Sequence, residues 1–399
     1  MSIFFWGTVF LGGIILVIPA IHHLRLRFAR CDPPTTQFAV AVIVPCKGNN
    51  DPDFENNLLC IVQQAYDGPV TFRLCAESDQ DPAVPTMRKL EQRFENVQVC
   101  IAGLSTRSSQ KTYNVLKGME CVTDTDIFVI ADADIQPHST WLQELVAPFR
   151  HPKVGATTGF FRRIPLSSDF HWGNYLAGLF GTFIISGISD DTLKGLWGGS
   201  LAVRKSVMDT YQLYERFATE IVDDIAIMHA LHQHHIARRY VQSCTLKSYC
   251  HMSVSESIEW LVRQIQFSQI YLKLPYALYV LVGIPYVAYI FLAPVLVLYG
   301  LLAHDLLALL SGAGFGLSVV LTGTLLYFSA PVNPASVSPG DARYRLLPWL
   351  LATPVAFICV ALALFKTFAR VKKGVLSMHW RNITYLVDVK TGKVKKVIR

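Results

Sequence analysis

The stretch Ile127-Phe128-Val129-Ile130-Ala131-Asp132-Ala133-Asp134 decides the architecture. Its first part is a short apolar run rich in β-branched residues, the pattern of a strand buried on both faces. Its second part places two carboxylates one residue apart where such a strand leaves its sheet. Working outward, Phe38–Pro45, Val70–Ala76 and Val97–Ala102 repeat the apolar run. Asp53–Gln64, Thr86–Phe94, Lys111–Cys121 and Thr140–Phe149 carry apolar residues at helical spacing. Strand and helix in alternation imply right-handed crossovers and a mainly parallel sheet. Ligands of such sheets gather at the carboxyl ends of the strands, where Asp132 and Asp134 stand.

The flanks differ in texture. Hydrophobic residues make up 52% of the 399 and charged residues 16%, well short of the roughly one quarter usual in soluble domains. Ile3–Ile21 has no charge and is long enough to cross a bilayer. Arg25, Arg27 and Arg30 follow it, so the positive-inside rule places the N-terminus outside and the next domain in the cytosol. Tyr276–Ala303, Leu306–Ala330 and Leu346–Phe365 are three further membrane candidates. Ser255–Leu274 mixes Ile258, Leu261, Val262 and Ile265 with Glu256, Arg263 and Gln266, which suits a helix in the cytosolic interface or one packed in a core. The expected division is an anchor at 1–30, a cytosolic catalytic domain at 31–254, an interfacial helix at 255–274, a membrane region at 275–366 and a basic cytosolic tail at 367–399. That tail holds Lys372, Lys373, Lys395, Lys396 and Arg399 against a single Asp388, so an even number of crossings after Leu274 is expected. Pro285 and Pro294 make Tyr276–Ala303 the stretch expected not to cross once.

A net charge of +7 without a dense basic run excludes nucleic acid as the expected partner. Nine scattered cysteines, with no CxxC pair, predict reduced thiols and no structural zinc. His229, His232, His234 and His235 give no clean metal-binding face on a helix.

The remaining chemistry is acidic. Asp132 and Asp134 can hold Mg²⁺ or Mn²⁺, cations that take oxygen ligands and neutralise a diphosphate. Glu77-Ser78-Asp79 follows the second strand run and suits either a nucleoside contact or a polar turn ended by Pro82. Lys111 opens a helix and could pair with a phosphate or lie in solvent. Asp223-Asp224 are neighbours whose mutual repulsion favours a general base, though a helix cap explains them as well. Gly198-Gly199 after Trp197 permits a close backbone approach or a plain tight turn.

In order and spacing these residues resemble the ceramide glucosyltransferase family and its bacterial relatives, family-2-type glycosyltransferases of the GT-A fold. The resemblance runs through Val44-Pro45-Cys46-Lys47-Gly48, Asp79-Gln80-Asp81-Pro82, Lys111…Asn114, Asp132-Ala133-Asp134, Gly199-Ser200…Arg204-Lys205, Val222-Asp223-Asp224 and Trp380-Arg381…Tyr385. It implies an α/β Rossmann-like catalytic domain with membrane helices, and inverting transfer from a UDP-sugar to a lipid hydroxyl. Asp224 would be the base and Asp223 its neighbour. Glu77, Asp79, Lys111, Asp132 and Arg263 would bind the nucleotide sugar, and Asp132 and Asp134 the metal. Gly199, Gln266, Phe267 and Trp380 would line or gate the acceptor path. Two departures stand out. Ser78 occupies a position where the family has Asp, and Gln266-Phe267 replace an Arg-Trp pair. Related alternatives are a polyprenyl-phosphate, carotenoid or hopanoid glycosyltransferase. An inactive membrane-bound assembly subunit is an alternative of another class.

Overall fold

The computed structural model describes residues 2–28, 32–48, 51–167, 169–189, 195–329 and 343–399. Arg30, Cys31 and Ala330, and the side chains of Arg25 and Arg27, lie outside the described set. After helix α1 (Ser2–Phe28), strand and helix alternate as β1 (Val40–Pro45), α2 (Phe54–Val62), β2 (Val70–Ala76), α3 (Val84–Arg93), β3 (Val97–Ile101), α4 (Gln110–Glu120), β4 (Ile127–Ala131) and α5 (Trp141–Val146). These follow the expected runs closely. The second half adds β5 (Val154–Pro165), α6 (Trp172–Ile188), β6 (Ser200–Arg204), α7 (Lys205–Thr210), α8 (Leu213–Phe217), α9 (Asp223–Gln233), β7 (Ala237–Cys250) and α10 (Val254–Tyr271).

The seven strands form one sheet in the order β3-β2-β1-β4-β6-β5-β7. Pairings β1–β2, β2–β3, β1–β4 and β5–β7 are parallel, while β6 runs antiparallel to both β4 and β5. Successive residues of a strand point to opposite faces, and β1 shows what that does here. Ala41 and Ile43 join the core beneath α4 and α9, and Val40, Val42 and Val44 join the core beneath α2, α3 and α5. The chain order reverses between β1 and β4. That switch point brings the loop after β1, with Lys47, beside the Asp132–Asp134 loop after β4.

The C-terminal residues 371–399 are not a loose tail. Strands β8 (Val371–Lys372), β9 (Val375–Trp380), β10 (Ile383–Asp388) and β11 (Val394–Ile398) form an antiparallel sheet. The fully buried Leu376, Met378 and Val387 share a core with Ile43 and Val115 of the catalytic domain. Polar links fix the docking: the Gln110 amide donates to the Tyr385 hydroxyl at 3.2 Å, the Val394 amide to Thr219 O at 3.0 Å, and the Tyr271 hydroxyl to Gly392 O at 2.7 Å.

In chain order, α11 (Lys273–Leu278), a π-helical turn, α12 (Ile284–Leu302), α13 (Leu306–Phe328) and α14 (Leu346–Ala369) connect α10 to the C-terminal sheet. Ser2–Leu24, Lys273–Leu302, Leu306–Phe328 and Leu346–Ala369 are each long and apolar enough to cross a membrane. Helix α10 differs from the interfacial expectation: from Ser257 onward none of its residues is exposed. Its apolar face packs with α6 and α14, where Leu261, Val262 and Ile265 meet Leu176, Ala352 and Ala356. A capping box of Ser253 and Glu256 starts it.

Candidate active site

Asp132 leaves β4 with its amide donating to Gly199 O at 3.1 Å, which ties the acidic loop to the turn before β6. Gly199 has no room for a side chain, because a Cβ there would sit 2.6 Å from Asp132 Oδ2 and strike the Trp197 ring. Lys111 enters from the first turn of α4, a helix begun by the Ser109 side chain accepting from the Thr112 amide. Its Nζ lies 2.7 Å from Asp132 Oδ1 and 3.9 Å from Asp223 Oδ2, and donates to Gly198 O at 3.2 Å. Asp223 and Asp224 open α9, whose unpaired N–H groups favour negative charge. Asp224 Oδ2 accepts from the Gly198 amide at 2.8 Å. One lysine thus stands among three carboxylates.

The electrostatics follow from that crowding. Burial, then repulsion by Asp223, pushes the Asp224 carboxyl up to about 7, against the pull of Lys111. Burial also raises Asp223, against the pull of Lys111 and of backbone N–H groups such as Asp224 N, which donates to its Oδ1 at 3.0 Å; its Oδ2 has no hydrogen-bond partner. Burial pulls Lys111 down, yet Asp132 and Asp223 more than offset this and leave it firmly protonated.

A second charged group faces the first. Arg263 of α10 lies over the Trp380 ring, 5.4 Å from its centroid. Arg381 reaches to 4.0 Å from Asp134 and donates to Lys47 O at 3.2 Å. Arg163 of β5 stacks on Phe161 and Trp260 and donates to Ser248 Oγ at 3.1 Å. Burial and then the neighbouring Arg381 and Arg163 lower Arg263 to about 10, so it stays charged at neutral pH.

All of these groups line one cavity of about 1010 Å³. Its polar end carries Asp132, Asp134, Lys111, Asp224, Arg163 and Arg263. Its other arm is apolar, walled by Ile14 of α1, Phe180 and Phe183 of α6, Val282 of the π turn, and Ala356 and Val360 of α14.

Of the residues singled out from sequence, Phe267 and Trp380 also line the cavity. Gly199 supports it from behind Asp132. Asp79 is not brought there: it is exposed and pairs with Arg88 at 3.5 Å. Glu77 stands one step back, 2.7 Å from Lys47. Gln266 is buried and turned toward the C-terminal sheet, its amide donating to Ser377 O at 3.4 Å. Arg163 was not anticipated. Its only sequence signal is a pair of arginines at the end of an apolar run.

Among the described residues no three His, Cys, Asp or Glu side chains are grouped as a metal cage. Asp132 and the exposed Asp134 nevertheless fit a hard cation, since Mg²⁺ is commonly held by one or two carboxylates, substrate phosphates and water.

Among solved structures, the chain is similar to the mannosyltransferase PcManGT from Pyrobaculum calidifontis in complex with GDP-Man and Mn²⁺. Identity is 15%, coverage 91% of this chain and 99% of that one, and the TM-score 0.49. It is also similar to the M. tuberculosis glucosyl-3-phosphoglycerate synthase, at 13% identity, 57% and 78% coverage and a TM-score of 0.36. At these scores the likeness bears on neither donor nor metal. The sequence itself matches glycosyl transferase family 21 across residues 8–388. A match over nearly the whole chain, to the family its motifs resemble, makes this protein a member of glycosyl transferase family 21, and a glycosyltransferase.

Proposed function

We propose that the enzyme transfers a sugar from a UDP-sugar, UDP-glucose foremost, to the hydroxyl of a membrane lipid such as ceramide, inverting the anomeric centre. The observation that carries this reading is the continuity of the cavity, whose charged end opens into an apolar arm between membrane-type helices. A soluble acceptor has no use for such an arm, whereas a lipid reaches the charged end through it without leaving an apolar medium. The basic residues Arg25, Arg27 and Arg30 at the end of the first apolar stretch, with those of the C-terminal segment, support a cytosolic catalytic domain.

The residues divide the work. Asp132 and Asp134 would hold Mg²⁺ or Mn²⁺, which neutralises the leaving diphosphate when bound. Lys111, Arg163, Arg263 and Arg381 supply fixed positive charge around that position, so a diphosphate has cations although Gln266 is not one. As the acceptor oxygen bonds to the anomeric carbon, its proton passes to Asp224. As that bond forms, the bond from the same carbon to the diphosphate oxygen breaks on the opposite face, and UDP leaves with the electron pair. The Gly198 amide holds the Asp224 oxygen in place. Phe267 and Trp380 flank the route between the two ends.

UDP release from a panel of UDP-sugars, with ceramide or a polyprenyl phosphate as acceptor, tests this reading. Release dependent on ceramide supports it. Release dependent only on the polyprenyl phosphate moves the enzyme to the alternative acceptor class, and release with neither overturns the lipid reading.

A further inference from the structure

Helix α14 has the length and composition of a membrane span, but its surroundings are those of a helix that never leaves one side. The C-terminal sheet shares a buried core with the catalytic domain, so both lie on the same face of the membrane. The chain between them must therefore cross an even number of times. Three helices of spanning type occupy that stretch, and one of them does not cross.

Contacts identify which. Helices α12 and α13 form a hairpin with Leu302 and Leu306 exposed and Asp305 capping α13, and the start of α13 lies beside the N-terminal part of α1, where the Thr8 hydroxyl donates to Ser311 O at 3.1 Å. At its other end α13 returns to the catalytic side, where His22 bridges Ser329 O at 3.1 Å and the Ser189 hydroxyl after α6 at 2.6 Å. Helix α14 starts there as well. The Tyr327 hydroxyl donates to Tyr344 O at 3.0 Å, and the Arg345 amide donates to the Tyr175 hydroxyl of α6 at 3.0 Å. It also ends there, with Lys366 and Arg370 paired to Glu259 of α10 at 2.7 and 2.8 Å. Along its length Trp349, Ala352, Ala356, Cys359 and Ala363 pack in one core with α6 and α10. The opposite stripe, Leu347, Leu351, Leu362 and Phe365, is 68%, 59%, 49% and 73% exposed. A helix of 24 residues is about 36 Å long. If it crossed a hydrocarbon core of about 30 Å, one end would be carried away from the domain that both ends touch.

We propose that α14 lies within the leaflet on the catalytic side, with lipid chains against Leu347, Leu351, Leu362 and Phe365. The spanning helices are then α1, the Lys273–Leu302 helix and α13, so the stretch that does not cross is α14 and not Tyr276–Ala303, the one expected from Pro285 and Pro294. The interfacial position expected for α10 belongs to α14, which separates α10 from the lipid. The occupant of this apolar stripe is the same bilayer that meets the exposed faces of α12 and α13. Its inner face carries Ala356 and Val360 of the cavity wall, so the apolar arm lies at the depth of one leaflet. The placement does not depend on which lipid is the acceptor.

Arg343→Cys, His304→Cys and Lys372→Cys, each in the full chain in sealed vesicles, test it with a membrane-impermeant thiol reagent. Peptide mass spectrometry locates the label, and the exposed native Cys121 marks the catalytic side. Labelling of positions 343, 372 and 121 from one face and 304 from the other is expected. Positions 343 and 372 on opposite faces would overturn the placement, as would 304 labelling with the rest. Phe365→Trp, with Leu347→Trp as a second variant should the first fail to fold, reads the lipid contact. Quenching by lipids brominated on the acyl chain is expected, and quenching by aqueous iodide alone excludes the contact.

Discussion

The sharpest consequence of the site is a pH profile that one substitution should erase. Asp224 is the base in the proposed reaction, and its carboxyl titrates near 7 because burial and Asp223 disfavour its charge. Below that pH the carboxyl is protonated and cannot accept the hydroxyl proton; above it the base is available. The kcat/KM for the lipid should therefore rise about tenfold per pH unit on the acid side and level off above neutrality. At pH 5 a group titrating at about 7 is ionised in about one molecule in a hundred, so activity there should be about one hundredth of the plateau. Asp224→Asn removes the titrating group but keeps an oxygen for the Gly198 amide, so donor binding should survive. The rate should fall at least about a hundredfold, or about 2.7 kcal/mol of barrier, and the residual rate should no longer show the acid limb. UDP formation followed from pH 5 to 9, with UDP-sugar affinity by calorimetry, measures both effects. An acid limb that persists in Asp224→Asn, or donor binding that collapses while residual turnover stays normal, refutes the assignment.

Neighbouring charges should tune the same limb in opposite directions. Asp223→Asn removes a negative neighbour and should shift the limb to lower pH, whereas Lys111→Met removes the compensating cation and should shift it to higher pH. Asp132→Asn and Asp134→Asn should abolish transfer with thermal unfolding unchanged, since an amide cannot balance a cation and a diphosphate; full turnover of Asp132→Asn in EDTA would exclude the metal role. Arg163→Ala should raise the donor KM roughly tenfold or more, the scale of a lost hydrogen bond to a charged group. Gln266→Leu, in a side chain that faces away from the cavity, should leave the donor KM unchanged.

How much of this was legible in the sequence depended on whether local pattern or tertiary context decided the structure. Strands β1 to β4 are each a single buried run, and the runs appear directly as apolar residues. Because parallel sheets place ligands at strand ends, Asp132 could be located from β4 alone. Helix α6 was not legible: its uncharged, glycine-containing run reads as neither strand nor surface helix, and only burial against α10 and α14 makes it a helix of the core. Asp79, left open in the sequence between a nucleoside contact and a polar turn, depends on tertiary context in the same way. A polar cluster after a strand does not tell which side chain meets it, and in the fold the exposed Asp79 stands 3.5 Å from Arg88 on the following helix. The C-terminal residues were read from their charge, as a basic tail on the cytosolic side, and not as the four strands they form. The lysines fall in β8, β11 and the turns, while in β9 and β10 Leu376, Met378, Tyr385 and Val387 are buried in alternation with half-buried or exposed neighbours.

The turn between β9 and β10 shows that this sheet does more than cover a core. Trp380 pairs with Ile383 across a two-residue turn, and both central residues have positive φ, 47° at Arg381 and 63° at Asn382. Such turns match the twist of a hairpin but strain any residue with a side chain, and Asn or Gly is the usual occupant. Left-handed backbone costs roughly 1–2 kcal/mol for an ordinary L-residue. Arginine at the first position is therefore a conformational liability with no packing to offset it, since the side chain is exposed. Its guanidinium instead reaches toward Asp134 and holds the Lys47 carbonyl. Those contacts join the tip of the hairpin to the loops after β4 and β1, where the diphosphate would sit. Arg381→Gly separates the two effects. It relieves the backbone strain, so the melting temperature should hold or rise. It removes one cation from the cavity, so donor affinity should fall and Arg263, freed of a like charge, should titrate higher. A variant that loses stability but keeps donor affinity would show that the arginine serves the hairpin and not the site.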